Sequence, residues 1–455
     1  MRRRSLSEVA RATEGVVEGD DIEVARVSTD SRVVGPDTLF VALTGTHTDG
    51  HRFVEDAFAN GAAAALVHEG GGRGPVVRVA STGDALMRLA ADERSRIDAT
   101  VIGITGANGK TSTKDLTHAV VASHARVHAS PASFNNEVGL PMTLLGAPSD
   151  TEAIVAELGA RRLGDVKLLC GIARPQVVVV TNIGVAHMEI FGSWASIVEA
   201  GAEPVDALEP DGVAILNADD PVVAGYADRC AGRVTTFGLG VGADAPDIRG
   251  EDVRLDDEGR AALRIVAGEE SAIVTLPVPG EHMVPNALAA VAVGRELGVP
   301  LADAAGALSS APVSPWRMES FTGAGGIRVL NDAYNANPES TAVALRTARW
   351  IARAGRLVAV LGEMAELGPI SEEEHDRIGE LAARIRVDRL IVVGETARAI
   401  ARAAIREGMD PGDVIAVGGV EEAIDAVRGA TGAGDLVLCK GSRVAGLERV
   451  AEALR

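Results

Sequence analysis

The chain has 455 residues, of which 47% are hydrophobic and 24% charged, enough for about three domains that fold without stabilising cross-links. Its formal net charge of −20 and aromatic content of 3% argue against nucleic acids and anionic membranes as partners, since both require a cationic surface. Three widely separated cysteines, no signal sequence and no run of about 18 apolar residues predict a reduced, cytoplasmic protein without a membrane span.

Residues 1–98 mix short β-like runs with turns, and we predict a small mixed α/β domain there. The runs at 39–43 and 65–67 are rich in residues that favour strands. The segment 53–58 predicts a short helix that ends at Asn60 and Gly61. A polar stretch at 94–98 marks the boundary to the next domain.

Residues 99–313 alternate short apolar runs with helical patterns, which predicts a central domain of the P-loop ATPase type around a parallel sheet. Nearly continuous apolar runs, typical of strands buried on both faces, occur at 101–104, 154–156, 177–180 and 214–216. Further β-structure is predicted at 234–277, and helices at 285–297 and 301–308. Pro312 and Pro315 mark the next boundary.

Residues 314–455 alternate in the same way and predict a second, smaller α/β domain of the Rossmann-like, doubly wound type. The predicted strands lie at 329–330, 357–361, 390–393 and 436–438. The predicted helices lie at 340–352, 372–385 and 421–428.

The strongest local signal is a glycine-rich segment between the first central strand and a helical pattern. It reads Gly106-Ala107-Asn108-Gly109-Lys110-Thr111-Ser112. Glycines let a backbone fold around phosphate oxygens, and the helix N-terminus adds N–H donors and a partial positive charge. Lys110 is expected to reach the β- and γ-phosphates of ATP, and Thr111 to offer its hydroxyl to Mg²⁺. The alternative is a glycine-rich turn with an exposed lysine, but the order strand, loop, helix favours the nucleotide site.

Further motifs resemble those of the Mur ligases, the family that builds the stem peptide of peptidoglycan. Besides the glycine-rich loop they are, in chain order, DSR at 30–32, DGH at 49–51, SFNNEVGLP at 133–141, TNIG at 181–184, LNADD at 216–220, NDAYNANPES at 331–340, GEMAELG at 362–368 and KGSR at 440–443. The resemblance extends over nearly the whole chain. It implies three domains, which bind a UDP-sugar-peptide (1–98), ATP (99–313) and an amino acid or dipeptide (314–455).

The resemblance also implies a reaction. An ATP- and Mg²⁺-dependent ligase would join D-alanyl-D-alanine to UDP-N-acetylmuramoyl-tripeptide through an acyl phosphate, a step on which cell shape and cell division depend. Such phosphoryl transfer needs mainly positioning and charge neutralisation from the protein. The family pattern further implies a monomer.

Several single residues acquire roles through the resemblance. Glu157, directly after a predicted strand, and His187 would bind Mg²⁺. Asn286 would lie near adenine, Asp332 would face the ribose, and Arg317 would come from the C-terminal side to the γ-phosphate. The implied catalytic residues are Lys110, His187 and Arg317.

The substrates would be bound by polar residues in loops. The uridine nucleotide would contact Ser31, Arg32 and His51. Asn135 and Asn136 belong to the implied substrate loop, and Asn335 and Asn337 would contact the dipeptide or ATP. For each of these the alternative is an ordinary turn residue, because short polar side chains favour turns.

One position departs from the family pattern. The resemblance implies a lysine fourteen residues after His187, whose carbamate would bridge two Mg²⁺ ions, but residue 201 is glycine. Gly201 and Pro204 both disfavour a helix interior. We therefore expect the helix to end or kink here.

Three interpretations of Gly201 are open at the level of the sequence. A divergent ligase could hold its metal with Glu157, His187 and water, or with Glu199 or Glu203 swung in toward the metal. The chain could instead be a weakly active or inactive relative that binds nucleotide and UDP-peptide, or a standard enzyme with an unusual local change. An active or weakly active ligase is favoured, because the other motifs are present. A folate-polyglutamate-type ligase fits less well with the 331–340 motif.

Overall fold

The structure, a computed structural model, describes all residues except 46–47, 72, 132, 186–187, 241, 243–244 and 354. A β-sheet with helices packed on it lies in each of the three predicted segments, so the predicted three-part α/β architecture is confirmed. The boundaries after residues 98 and 313 stay predictions. Among the described helices, none combines the length and apolarity that are needed to cross a bilayer.

The N-terminal sheet is built around two fully buried strands, Thr38–Val41 and Ala64–Val67, which correspond to the predicted apolar runs. Its strands are ordered Val16–Glu18, Val76–Arg78, Ala64–Val67, Thr38–Val41 and Arg26–Ser28, and a separate ribbon pairs Arg4–Ser5 with Glu23–Val24. The helices are Leu6–Thr13, Val54–Ala59 and Thr82–Arg94. The first of them begins at Ser5, which forms a capping box with Glu8.

The central sheet is parallel over most of its width and antiparallel at one edge. Its strands are ordered Val127–Ala129, Ala153–Glu157, Thr100–Thr105, Val177–Val180, Val213–Asn217, Arg233–Gly238, Ile248–Leu255, Arg260–Ala267 and Glu270–Pro279, with antiparallel pairing among the last three. The helices are Lys110–Ala122, Gly139–Gly146, Asp165–Ala173, Met188–Phe191, Trp194–Asp206, Pro221–Ala224, Met283–Glu296 and Leu301–Ser309. The apolar helix Met283–Glu296 packs on Lys110–Ala122, which places it behind the glycine-rich loop.

The C-terminal sheet has helices on both faces. Its strands are ordered Glu319–Thr322, Arg328–Asn331, Leu436–Lys440, Leu357–Leu361, Arg389–Val393 and Val414–Val417, and all pairs except the first are parallel. The helices are Pro338–Ile351, Ser371–Arg384, Arg398–Arg406, Val420–Ala430 and Glu448–Glu452. The strands Glu319–Thr322 and Val414–Val417 and the helix Arg398–Arg406 were not predicted, because edge strands are short and this helix is rich in arginine.

The expected helix end at Gly201 and Pro204 is wrong, since the helix Trp194–Asp206 continues through both residues. The expected kink stays a prediction. Pro204 lies in the last turn, where the missing N–H removes a single backbone bond. The helix face that includes Ile197, Ala200 and Val205 is buried, and its packing outweighs the unfavourable propensities.

Candidate functional site

The glycine-rich loop has the conformation that its sequence requires. Gly106 and Gly109 have φ of +135° and +81°, which only glycine adopts readily. A Cβ atom on Gly106 would collide with the Thr181 hydroxyl, and one on Gly109 with the Asn286 side-chain oxygen. Gly109 directly precedes the helix Lys110–Ala122, so the loop presents the N-terminus of that helix. This geometry suits a bound phosphate.

A second segment, the TNIG motif at 181–184, to which the sequence analysis assigned no role, contacts the loop. The backbone N–H of Asn108 donates to the Asn182 side-chain oxygen at 2.8 Å, and the Asn182 amide donates back to the Asn108 carbonyl at 3.1 Å. Thr181 donates its hydroxyl to the same carbonyl at 2.7 Å. Their place at the end of a buried strand was the available signal, since ligands bind at the carboxyl ends of parallel strands.

Lys110 has its ammonium group folded back onto the loop. Nζ donates to the carbonyl oxygens of Gly106 at 2.6 Å and Ala107 at 3.3 Å. Burial lowers the pKa of Lys110, whereas the nearby Glu157 carboxylate acts in the opposite direction. The ammonium group is therefore positioned where a phosphate group on the loop would meet it.

The predicted oxygen ligands for magnesium lie together. The Thr111 hydroxyl donates to Glu157 Oε2 at 2.8 Å, and the Asn135 amide donates to Oε1 at 2.8 Å. Glu157 is the last residue of a central strand and is 1% exposed. A hydroxyl and a buried carboxylate are hard oxygen donors of the type that Mg²⁺ prefers, so these residues fit the ion. His187 lies outside the described residues.

Arg317 reaches this cluster from the C-terminal domain. Its Nη2 atom donates to the Thr111 hydroxyl at 2.8 Å and to the Ser133 hydroxyl at 3.2 Å. Its guanidinium lies 4.2 Å from the centroid of the Tyr334 ring. The predicted approach of Arg317 from the far side of the cleft agrees with this geometry, whereas Ser133 was not predicted as a contact.

Two predicted asparagines are placed differently. The Asn337 amide donates to the Asn108 side-chain oxygen at 2.7 Å, and Asn337 also caps the helix Pro338–Ile351. Asn335 is exposed, and its backbone carbonyl accepts from Lys440 at 3.0 Å. Asn337 therefore joins the C-terminal domain directly to the glycine-rich loop, and Asn335 lies beside that junction.

Asp332 lies at the end of a C-terminal strand in a network of charges. It accepts from Lys440 Nζ at 2.6 Å and from the backbone N–H of Met318 at 3.1 Å. Burial lowers the pKa of the nearby His282 imidazole to about 4, with the Asp332 charge acting in the opposite direction. Ser112 and Asn286 are buried in the same region, and Thr113 donates its hydroxyl to the Asn286 side-chain oxygen at 3.2 Å.

The predicted uridine-binding residues make contacts within the N-terminal domain. Exposed Arg32 pairs with Asp30 and lowers the pKa of that carboxyl to about 2, and the Ser31 carbonyl accepts from Asn60. Both ring nitrogens of His51 have partners, the Asp49 carboxylate at 2.7 Å and the backbone N–H of His68 at 3.1 Å. His51 thus stabilises a turn, and its role toward a substrate stays a prediction.

Asn136 faces away from the cluster that its neighbour Asn135 joins. Its side-chain oxygen accepts from the backbone N–H groups of Val138 and Gly139, at the start of the helix Gly139–Gly146. Asn136 lies two residues before Val138, the N-cap residue, so these bonds hold the turn that leads into the helix. A direct contact of Asn136 with substrate stays a prediction.

Position 201 does not fit a carbamylated lysine. A Cβ atom on Gly201 would collide with Ile183 Cδ1 and would lie 2.8 Å from the Tyr226 hydroxyl oxygen. That hydroxyl donates to the Val198 carbonyl at 2.6 Å, which holds it in place. The space beside residue 201 is therefore occupied by these two side chains, and a larger residue would require the tip of Ile183 to move.

The two carboxylates considered as substitute ligands have other partners in this structure, and their role toward a metal ion stays a prediction. Glu199 forms a two-pronged pair with Arg229, with both N–O distances at 2.8 Å. Glu203 is buried and accepts from the backbone N–H groups of Gly164 and Lys167, at the start of the helix Asp165–Ala173. Among the residues that the structure describes, no group of three or more His, Cys, Asp or Glu side chains is arranged to hold a metal ion.

Comparisons with known proteins agree with this arrangement. Three family models match: "Mur ligase family, catalytic domain" at residues 23–97, "Mur ligase middle domain" at 104–294 and "Mur ligase, glutamate ligase domain" at 316–443. The UDP-N-acetylmuramoyl-tripeptide–D-alanyl-D-alanine ligase of Mycobacterium leprae is 40% identical, over 94% of this chain and 92% of that protein.

Solved structures give the same result. The chain is similar to MurF from Acinetobacter baumannii with a TM-score of 0.87 and 30% identity, over 100% of this chain and 99% of that one. It is also similar to the MurF ligase of Thermotoga maritima in complex with ADP, with a TM-score of 0.81 and 28% identity, over 95% and 97% of the two chains.

Proposed function

Because the chain belongs to the Mur ligase family, we propose that it is an ATP-dependent ligase that joins D-alanyl-D-alanine to UDP-N-acetylmuramoyl-tripeptide. The observation that carries this proposal is the meeting of two domains at one loop. Lys110, Thr111 and Glu157 come from the central domain, and Arg317 and Asn337 from the C-terminal domain. The reaction contributes to peptidoglycan synthesis.

The chain's own residues would bind ATP and orient it. The N–H groups at the start of the helix Lys110–Ala122 would hold the β- and γ-phosphates, and Lys110 would turn from the loop carbonyls toward them. Arg317 would neutralise charge on the γ-phosphate as it is transferred to the tripeptide carboxylate. The amine of the dipeptide then attacks the acyl phosphate, and phosphate leaves.

Magnesium would be held by Thr111 and Glu157, with His187 as a further predicted ligand. When bound, the ion supplies charge neutralisation for the phosphate oxygens. No step is assigned to a second, carbamate-bridged ion, since the position of residue 201 is filled by Ile183 and Tyr226.

The remaining assignments are proposals of the same kind. Asp332 would contact the ribose and Asn286 the adenine. The UDP-linked substrate would lie against the loops at 30–32 and 49–51 and against Asn135 and Asn136. We propose a cytoplasmic location, where ATP is available, and a monomeric enzyme, as the family pattern implies.

Phosphate release by the purified chain tests the proposal. With ATP, Mg²⁺ and UDP-N-acetylmuramoyl-tripeptide, we expect release that depends on D-alanyl-D-alanine. Lys110→Met serves as the negative control, because it keeps the length of the side chain and removes its charge. Calorimetric binding of the UDP-tripeptide without any phosphate release would overturn the proposal and identify an inactive relative.

A further inference from the structure

The linker between the central and C-terminal domains is tied to the helix that follows the glycine-rich loop. The backbone N–H of Ser314 donates to Asp115 Oδ2 at 2.8 Å, across 199 positions of sequence. Asp115 lies on the helix Lys110–Ala122, about one turn after Lys110 and Thr111. The linker therefore starts from a fixed point on the helix whose N-terminus would hold the phosphates.

Asp115 itself is held by a buried partner. Lys114 Nζ lies 3.1 Å from Asp115 Oδ1, and the two side chains are 4% and 13% exposed. The same ammonium donates to the Ser130 carbonyl at 2.9 Å, and Ser130 Oγ accepts from the backbone N–H of Glu157. The carboxylate is thus fixed relative to the strand and loop that carry the magnesium ligands.

The tie has a consequence for Arg317, which lies three residues after Ser314. Three residues span at most about 11 Å, so the position of Ser314 limits where the Arg317 side chain can begin. Trp316 and Met318, on either side of Arg317, have φ of +61° and +54°. Bulky residues adopt this left-handed conformation only when surrounding contacts enforce it.

Those contacts are present in the C-terminal domain. The backbone N–H of Trp316 donates to the Glu319 carboxylate at 3.2 Å, and that of Met318 to Asp332 at 3.1 Å. The turn that carries Arg317 is therefore held in place by groups of the C-terminal domain. Its placement over the loop then depends on contacts between the domains, among them the contact of Ser314 with Asp115 and that of Asn337 with Asn108.

We propose that Asp115 is a positioning residue, which fixes the pivot of the C-terminal domain so that Arg317 meets Thr111 and Ser133 when the domains are closed. This proposal rests on the proposed function, because it assumes that Arg317 acts in phosphoryl transfer. An ordinary stabilising contact is the competing explanation. It would change the free energy of unfolding and leave catalysis in the folded enzyme unchanged.

Two variants remove the contact from opposite sides. Asp115→Ala removes the acceptor, and Ser314→Pro removes the donor while it keeps the Lys114–Asp115 pair. Asp115→Asn keeps an acceptor oxygen, and Ser314→Ala keeps the backbone N–H as a matched control. The four variants and the double variant Asp115→Ala/Ser314→Pro are compared with the unaltered chain.

For Asp115→Ala and Ser314→Pro we expect kcat for phosphate release to fall about tenfold to a hundredfold, since small misplacements of a charged group cost this much. The dissociation constant for ADP should change less than about twofold, because the glycine-rich loop is intact. Asp115→Asn and Ser314→Ala should stay near the unaltered chain. The double variant should be no worse than either single variant, because both remove one contact.

A second readout does not require ligation. Trp316 is adjacent to Arg317, and its fluorescence reports the position of this turn when Trp194 and Trp350 are replaced by phenylalanine. We expect ATP to change the emission in this background and Asp115→Ala to abolish the change. If Asp115→Ala and Ser314→Pro only lower the melting temperature, with kcat and the emission change retained, the proposal is overturned. An absence of phosphate release from the unaltered chain would instead contradict the proposed function.

Discussion

Glycine has different surroundings in the glycine-rich loop and in the helix Trp194–Asp206. At Gly106 and Gly109 the absent side chains make room for Thr181 and Asn286, polar groups that surround the loop. At Gly201 the space is filled by Ile183 and by the Tyr226 hydroxyl that holds the helix.

The carboxylates differ between the two regions in the same way. Glu157, beside the loop, has only the hydroxyl of Thr111 and the amide of Asn135 among its described side-chain partners, both of which a cation can replace. Glu199 and Glu203 on the helix are committed to Arg229 and to backbone N–H groups. The carboxylate with exchangeable partners therefore lies at the loop, whereas the carboxylates of the helix are engaged in structural contacts.

The largest expected effect comes from removing the loop's ammonium group. Lys110→Met should lower kcat/KM for phosphate release about 10²- to 10³-fold, as for other groups that stabilise charge in the transition state. Steady-state kinetics with varied ATP measure this. Lys167→Met is the matched control, because that side chain is exposed on a helix surface. If Lys110→Met and Lys167→Met are equally active, the ammonium group of the glycine-rich loop does not contribute to catalysis.

A methyl group at position 201 tests whether the helix is a packing element. Gly201→Ala should lower the free energy of unfolding by up to about 2 kcal/mol, because overpacking against Ile183 and Tyr226 costs about 1–3 kcal/mol and alanine gains roughly 1 kcal/mol over glycine in a helix. Urea denaturation measures the change.

The control for that substitution is Gly306→Ala, in the helix Leu301–Ser309, where a Cβ atom meets no other atom within 4 Å. It should stabilise the chain by up to about 1 kcal/mol. If both substitutions stabilise equally, the space at residue 201 is open. For the same steric reason we expect Gly201→Lys not to raise phosphate release.

Substitution of Glu203 tests whether its carboxylate is structural or binds a metal ion. Glu203→Gln should lower the free energy of unfolding by about 1–2 kcal/mol, because it weakens charge-assisted hydrogen bonds to Gly164 and Lys167. Glu199→Gln, in a largely exposed pair, should lower the free energy of unfolding less than Glu203→Gln does. Denaturation and a magnesium titration of activity are measured together. A changed magnesium requirement in Glu203→Gln would show that this helix still contributes to metal binding.

The smallest effect concerns pH. Burial lowers the pKa of His282 from 6.5 to about 4, so the unfolded chain takes up a proton at higher pH than the folded chain does. The contribution of His282 to the free energy of unfolding is present above pH 6.5 and is lost as the pH falls toward 4. By pH 6 the loss is less than about 1 kcal/mol.

Denaturation of the chain and of His282→Asn at pH 8 and pH 6 measures this contribution. The stability of His282→Asn should decline less between the two values, with His124→Asn, a partly exposed histidine, as control. Identical declines in all three proteins would show that His282 is not buried as described.

Local sequence patterns were sufficient to predict much of the fold and the glycine-rich loop. The strand predicted at 177–180 is found as Val177–Val180, and the helix predicted at 301–308 as Leu301–Ser309, because buried runs and periodic apolar faces are local properties. The expected helix end near Pro204 was wrong for the opposite reason. Burial of the helix face by distant residues outweighed the local preference.

The sequence by itself determined the three α/β regions and the glycine-rich loop through local patterns, and the family through the motifs that the chain carries. Only the tertiary structure decided that Arg317 reaches Thr111, that Asp115 holds the linker and that Gly201 leaves no room for a side chain. Each of these depends on groups that are far apart in sequence. Their meeting is set by how whole sheets and helices pack, which no local pattern encodes.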